Sequence, residues 1–175
     1  LTAASLSPKP VQPDLPIWIG GGSEAAVRRT ARYGPGWQAG PETPVEAQKI
    51  VAAIKVAAAG FGRTIDDDHY GAGFPVYFGK PTDPAPGRML EAYKRRTGRD
   101  AHILFAIGDR DTIVGRIAEY VDAGVSKFIL RPVGATDEDL IGQTDRLIRE
   151  VLPEVTRRWP RPPKPRMRNS SASPP

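Results

Sequence analysis

Apolar positions along the chain switch repeatedly between a strand-like and a helix-like rhythm. Pro16 to Gly20 (PIWIG) is a short apolar run before three glycines and reads as a buried strand. Ser23 to Tyr33 follows as a helix. Ser23 caps it, Ala26, Val27 and Ala31 share a face, and Gly34 stops it. Gly36 to Gly40 (GWQAG) is a short strand or turn. Thr43-Pro44-Val45-Glu46 is a helix start with a capping box and a proline in the first turn. Its stripe of Ile50, Val51, Ile54 and Ala58 runs to Gly60.

Tyr70 to Phe78 (YGAGFPVYF) is a strand with a weak point at Pro75, which lacks a backbone donor. Lys80 to Gly87 is Pro-rich and reads as loop, and Gly87 to Thr97 as a short polar helix. Ile103 to Ile107 is a small apolar run. Asp109 or Asp111 opens a helix with the stripe Ile113, Val114, Ile117, Ala118 and Val121, ending at Gly124. Lys127 to Arg131 (KFILR) is a strand. Thr136 or Asp137 opens the last helix, whose period holds to Val155, with a kink expected at Pro153.

Strands alternating with helices imply parallel βα units and an α/β fold. Alternation by itself leaves two architectures open, half of an eight-fold barrel and a compact doubly wound sheet. The expected organisation is an extended lead-in over residues 1–15, a folded α/β unit over 16–156, and a basic, Pro-rich disordered tail over 157–175.

Composition changes this picture in three places. The chain has no cysteine, which removes disulfides, thiolate metal sites and cysteine nucleophiles, and fits a cytoplasmic location. It has two histidines, His69 and His102, too few for a His-rich metal site. The formal net charge of +5 belongs to the tail. Six of the 25 basic residues (Arg157, Arg158, Arg161, Lys164, Arg166, Arg168) lie beyond residue 156 and no acid does, leaving 19 against 20 for the rest. No folded nucleic-acid-binding motif accompanies that tail, so no nucleic-acid partner is expected. No apolar run is long enough to span a membrane. The chain begins at Leu1 without a signal segment, and the simplest expectation is that an upstream part of the protein is missing.

The segment richest in chemistry is IWIGGGSEAAVRRTARYGPG, Ile17 to Gly36. A strand runs into three glycines and then a capped helix. The first helix amides have no internal partners and carry partial positive charge, so a phosphate at Gly21, Gly22 and Ser23 would satisfy them. An ordinary tight turn with a serine cap is the plainer alternative. The same residues match the loose dinucleotide pattern G-x-G-x-x-A through Gly20, Gly22 and Ala25. Glu42, twenty residues beyond Gly22, stands near the expected ribose-binding acid, although it follows Pro41 in a loop. Asp66, Asp67 and Asp68 beside His69 read as a solvated turn rather than a metal site. Arg131, at the end of a strand, has two open readings: an anion contact, or an ion pair with a loop acid.

The blocks SPKPVQP (from Ser7), LPIWIGGGSEAAVRRTARYGPGWQAG (from Leu15), GDRDTIVGRIAEYVDAGVSKFILRPVG (from Gly108) and REVLPEV (from Arg149) resemble the luciferase-like monooxygenase family. The resemblance covers about residues 7–156 and is looser between Gly71 and Ala101. It implies the C-terminal half of a (β/α)8 TIM barrel, strands 5–8, with the N-terminal half absent. It further implies a fragment of a flavin- or F420-dependent oxidoreductase that holds its cofactor, FMN or coenzyme F420, by the phosphate. Relatives use backbone amides after strand 5, which carries over to Gly21, Gly22 and Ser23, and the loop after strand 6, which carries over to Trp37, Gln38 and Ala39. Many relatives have Gly-Asp-Gly where this chain has Gly34-Pro35-Gly36. Their acid–base groups come from the first four strands, so no catalytic residue is assigned, and this fragment alone is expected to be inactive. A small-molecule substrate and a homo-oligomer are the expected partners. The runner-up is a stand-alone phosphate- or dinucleotide-binding domain without oxidoreductase activity.

Overall fold

The structure, a computed structural model, describes residues 7–12 and 15–160. Residues 161–175, with most of the expected tail, lie outside the described residues. So do positions 1–6 and 13–14 of the lead-in.

The elements follow the expected alternation. They are β1 (Ile19–Gly20), α1 (Glu24–Tyr33), β2 (Trp37–Gln38), α2 (Pro44–Gly60), β3 (Tyr70–Phe78), α3 (Pro84–Thr97), β4 (Ala106–Gly108), α4 (Arg110–Asp122), β5 (Lys127–Pro132), α5 (Asp137–Arg146) and α6 (Leu152–Arg158). Local chemistry sets the helix ends. Ser23 accepts the Ala26 N–H at 3.2 Å, and Asp109 accepts the Thr112 N–H at 2.9 Å. At α2 the capping box is complete: Thr43 Oγ1 accepts from Glu46 N–H, and the Glu46 carboxylate accepts from Thr43 N–H at 2.7 Å. The last carbonyls of α1 are taken by one guanidinium. Arg63 donates to Ala31 O at 2.7 Å and to Gly34 O at 3.0 Å.

All strand pairs are parallel, and β3 is the hub. β1 pairs with β2, and β2 with the first residues of β3. β5 runs beside β3 from Gly71 to Val76, and β4 joins β3 from Val76 to Phe78. Gly71 is opposite both Gln38 and Lys127, and Val76 opposite both Ala106 and Pro132. β2 and β4 therefore share one edge of β3, and β5 holds the other.

This arrangement explains how Pro75 sits inside a central strand. The Tyr70 and Val76 carbonyls accept from Ser126 and Val133 on the β5 side, while Gly71 accepts from Ala39 on the β2 side. Peptide groups alternate in direction along a strand. Pro75 thus points its nitrogen into the gap between β2 and β4, where no ladder donor is needed.

Three local expectations change. The run Ile103–Ile107 yields a fifth strand, β4, because its last residues find an open stretch of β3 edge. α3 starts at Pro84 rather than Gly87, since a proline in the first turn forfeits a hydrogen bond the helix never makes. The last helix absorbs Pro153 through one wide π turn, Leu147–Val151, in which Leu152 N–H reaches back to Leu147 O. Arg157 and Arg158 still belong to α6, so helix continues past the expected start of the tail.

One face of the sheet is covered by helices. Tyr70, Ala72, Phe74, Val76 and Phe78 pack there with Ile113, Val114, Ile117 and Tyr120, and Phe74 stacks on Tyr120 with ring centroids 5.4 Å apart. In-register neighbours project to the same side. The opposite face accordingly carries Gln38, Lys127, Ile129 and Arg131 beside Gly71 and Gly73. Ile129 is 57% exposed on it. Among the described residues no helix is long and apolar enough to cross a membrane.

Candidate functional site

The C-terminal ends of β1 and β2 lie side by side, so the loops that follow them meet. In the first loop Gly21 has φ +95°, a left-handed conformation that favours glycine. Its carbonyl is held by the Trp37 indole, whose Nε1–H donates at 3.0 Å. Gly22 and Ser23 are exposed. The Ser23 hydroxyl oxygen caps Ala26, and Val27 makes the first helix bond, to Ser23 O at 2.9 Å. The N–H groups of Glu24 and Ala25 precede that bond and have no acceptor within the helix. The loop therefore presents a positive-ended, donor-rich corner to solvent.

The second loop contributes unevenly. Trp37 is fully buried in the core and touches the glycine loop through its indole N–H. Gln38 is half-buried on the open face, with its Nε2 donating to Ala39 O at 3.2 Å. Ala39 is buried, and its N–H extends the sheet to Gly71 O at 2.8 Å. The three lie within one turn of chain, but the pleat sends Trp37 and Gln38 to opposite faces.

Glu42, three residues further on, is 9% exposed, although Gly40 and Pro41 before it are exposed. Its Oε2 accepts the Gly40 N–H at 2.6 Å, and the buried Tyr120 hydroxyl donates to its main-chain carbonyl at 2.7 Å. Burial pushes the Tyr120 phenol up to about 12. The Glu42 carboxylate lies against Gly22: a Cβ there would come 3.2 Å from Oε1 and 2.7 Å from Ile50 Cδ1. A side chain at 22 would make the ends of the Ile50 and Glu42 side chains shift.

Other residues singled out by sequence fall elsewhere. Asp66, Asp68 and His69 bring ligand atoms within 4.8 Å of one another at the N-terminal end of β3. Lys127 takes Asp68 at 3.1 Å, Lys55 takes Asp67 at 2.7 Å, and the His69 Nδ1 lies 2.9 Å from Pro35 O. Lys127 holds the Asp68 carboxyl below its ordinary value. His102 is exposed on a turn, and Arg28 and Arg29 are exposed on α1. Arg131 donates to Gly73 O at 3.3 Å and forms no ion pair among the described residues, so the loop-acid reading finds no partner there.

The sequence model of the luciferase-like monooxygenase family matches residues 1–101. Similar solved structures include the coenzyme F420-dependent tetrahydromethanopterin reductase of Methanopyrus kandleri. It is 20% identical, with TM-score 0.59, over 81% of this chain and 51% of that one. A long-chain alkane monooxygenase is 20% identical with TM-score 0.55, over 81% and 41%. The oxygenating constituent of a 3,6-diketocamphane monooxygenase from Pseudomonas putida, in complex with FMN, is 14% identical with TM-score 0.62, over 78% and 47%. The chain thus spans about half the length of the structures it matches or less, and the shared architecture is part of a (β/α)8 barrel.

Proposed function

The chain belongs to the luciferase-like monooxygenase family, and on that premise we propose that the corner formed by Gly21, Gly22 and Ser23 holds the phosphate of FMN or coenzyme F420 in an oxidoreductase acting on a small molecule. The observation that carries the reading is the free N-terminal end of α1 behind a left-handed glycine. The residues fit the group. Glu24 and Ala25 supply amide donors, and the Ser23 hydroxyl keeps its hydrogen for a phosphate oxygen.

When bound, the flavin or deazaflavin supplies the redox chemistry. This chain's own residues bind and orient. Trp37 fixes the Gly21 carbonyl, which keeps the following amides turned outward. Gln38 lies on the open face, where the ring-bearing end of a ligand anchored at α1 would extend. The whole protein would present the substrate from the same face, and a second copy of the chain would complete the assembly.

Titration of the ¹⁵N-labelled chain with FMN and with riboflavin tests the reading. FMN is expected to shift the amides of Gly22, Ser23, Glu24 and Ala25, and riboflavin, lacking the phosphate, to leave them in place. Equal shifts from both, or none from either, would overturn it.

A further inference from the structure

The two edge strands carry helices of opposite charge. α1, which follows β1, has three arginines against one acid, and α5, which follows β5, has four acids against one arginine. Arg28 and Arg29 are exposed, as are Asp137 and Glu138, and none of the four forms an ion pair among the described residues.

α5 also has a flank turned away from its neighbour. Arg146 and Glu150 point toward the start of α4, where they line a groove with Asp109 and Asp111. Asp137, Ile141, Thr144 and Ile148 follow one another at helical spacing and so run down a different side. Ile141 is 68% exposed and Ile148 55%. Large apolar side chains bared in a row beside an open sheet edge mark a surface that a partner covers.

That partner must bring a parallel strand edge and a basic helix. The chain has both, at its other edge. A two-fold rotation about an axis along the strands preserves strand direction, so β5 of one copy can run parallel to β1 of the second while α5 lies against α1. The same rotation creates an identical contact at the opposite edges. β1, β2, β3 and β5 form the through-going ladder of each copy. Two such ladders give the eight parallel strands at which a (β/α)8 barrel closes, and closure stops growth at two copies. Joining like edges instead would set acid against acid at α5, or arginine against arginine at α1, and both repel.

We infer that the open edges are taken by a second copy of this chain, in a two-fold assembly that pairs β5 with β1 of the other copy, packs α5 on α1, and encloses the open face in an eight-stranded barrel. The assembly rests on the second-copy part of the proposed function and is independent of the phosphate corner.

Sedimentation equilibrium of the full chain tests it, with monomer and dimer expected and nothing larger. Arg28→Glu with Arg29→Glu makes α1 acidic, and Asp137→Lys with Glu138→Lys makes α5 basic. Each doubly altered chain by itself meets like charge at both contacts, and its dimer is expected to be about tenfold weaker or more. An equimolar mixture of the two restores opposite charge at both contacts, and dimers holding one chain of each kind are expected to return. The milder Arg29→Gln and Glu138→Gln are each expected to weaken the dimer about threefold, and they decide the matter if a doubly altered chain does not fold. A monomer at every concentration, growth beyond two copies, dimers indifferent to these substitutions, or a mixture no tighter than its components overturns the inference. FMN-induced shifts at the amides of residues 22–25 report on the phosphate corner separately. Dimers without those shifts overturn the corner alone, and shifts in a strict monomer overturn the dimer alone.

Discussion

The side-chain amide of Gln143 grips the main chain of Phe78 at both ends: Oε1 accepts the Phe78 N–H at 2.7 Å, and Nε2 donates to the Phe78 carbonyl at 3.3 Å. Phe78 faces the β5 edge of β3, but β5 pairs no further than Val76. A glutamine from α5 thus stands in for the missing strand and locks the last helix to the sheet.

Gln143→Ala leaves a buried N–H and C=O without partners, which costs about 1–3 kcal/mol each at most. Urea unfolding should show a lower midpoint with an unchanged slope. Gln143→Glu should be no better at neutral pH, because a carboxylate accepts from the N–H but repels the carbonyl.

Trp37→Phe keeps an aromatic in the core and deletes one hydrogen bond, to Gly21 O. Stability is expected to drop by about 1 kcal/mol. The larger effect should be on the loop, with faster hydrogen exchange at Gly22 and Ser23 and weaker phosphate binding. Unchanged exchange there would remove Trp37 as the residue that sets the loop.

Glu46 caps α2 and meets Arg99 at 2.9 Å, which ties the loop after α3 to the loop after β2. The Thr43 N–H, followed by Arg99, holds its carboxyl below the ordinary value. A depressed carboxyl stabilises the fold at pH above its unfolded value, and that contribution fades as pH falls through the folded value. The difference in Tm between the unaltered chain and Glu46→Gln should therefore be present near neutral pH and vanish in acid.

Tyr120 shifts the other way. Its phenol is raised to about 12 by burial, so the folded state resists ionisation that the unfolded chain accepts near its ordinary value of 10. Stability should be full below pH 10 and decline between 10 and 12. Tyr120→Phe should lessen that decline, to which the Tyr70 and Tyr77 phenols, also raised by burial, contribute, and should lose about 1 kcal/mol from the bond to Glu42 O.

The outer edges of β1 and β5 pair with no strand among the described residues, and Ile129 stands exposed on the open face. Unpaired edges recruit other chains. Light scattering across a dilution series should find concentration-dependent association. A single monomer mass at every concentration would count against it.

The features legible in the sequence are those written in short stretches. The Thr43–Glu46 capping box, the Ser23 cap and the helical stripes each depend on residues three or four apart. The alternation of strand and helix, and the family resemblance, belong to the same order. β4 escaped because three residues carry too little periodicity. Its pairing depends on an edge of β3 that β2 leaves open. Pro75 looked disruptive because its harmlessness depends on which neighbour each peptide faces.

The corner itself divides the same way. Gly21, Gly22 and Ser23 announce a donor-rich loop by composition alone, since a strand, three glycines and a cap suffice to define it. That Trp37 supports this loop from the core, and that Glu42 comes to rest against Gly22, follow from the lateral pairing of β1 with β2 and the packing of Tyr120 beneath them. Backbone torsions and caps are set by neighbours in the chain, so the sequence by itself determined them. Contacts between residues twenty or eighty positions apart exist only once the sheet has formed, and the tertiary structure alone decided those.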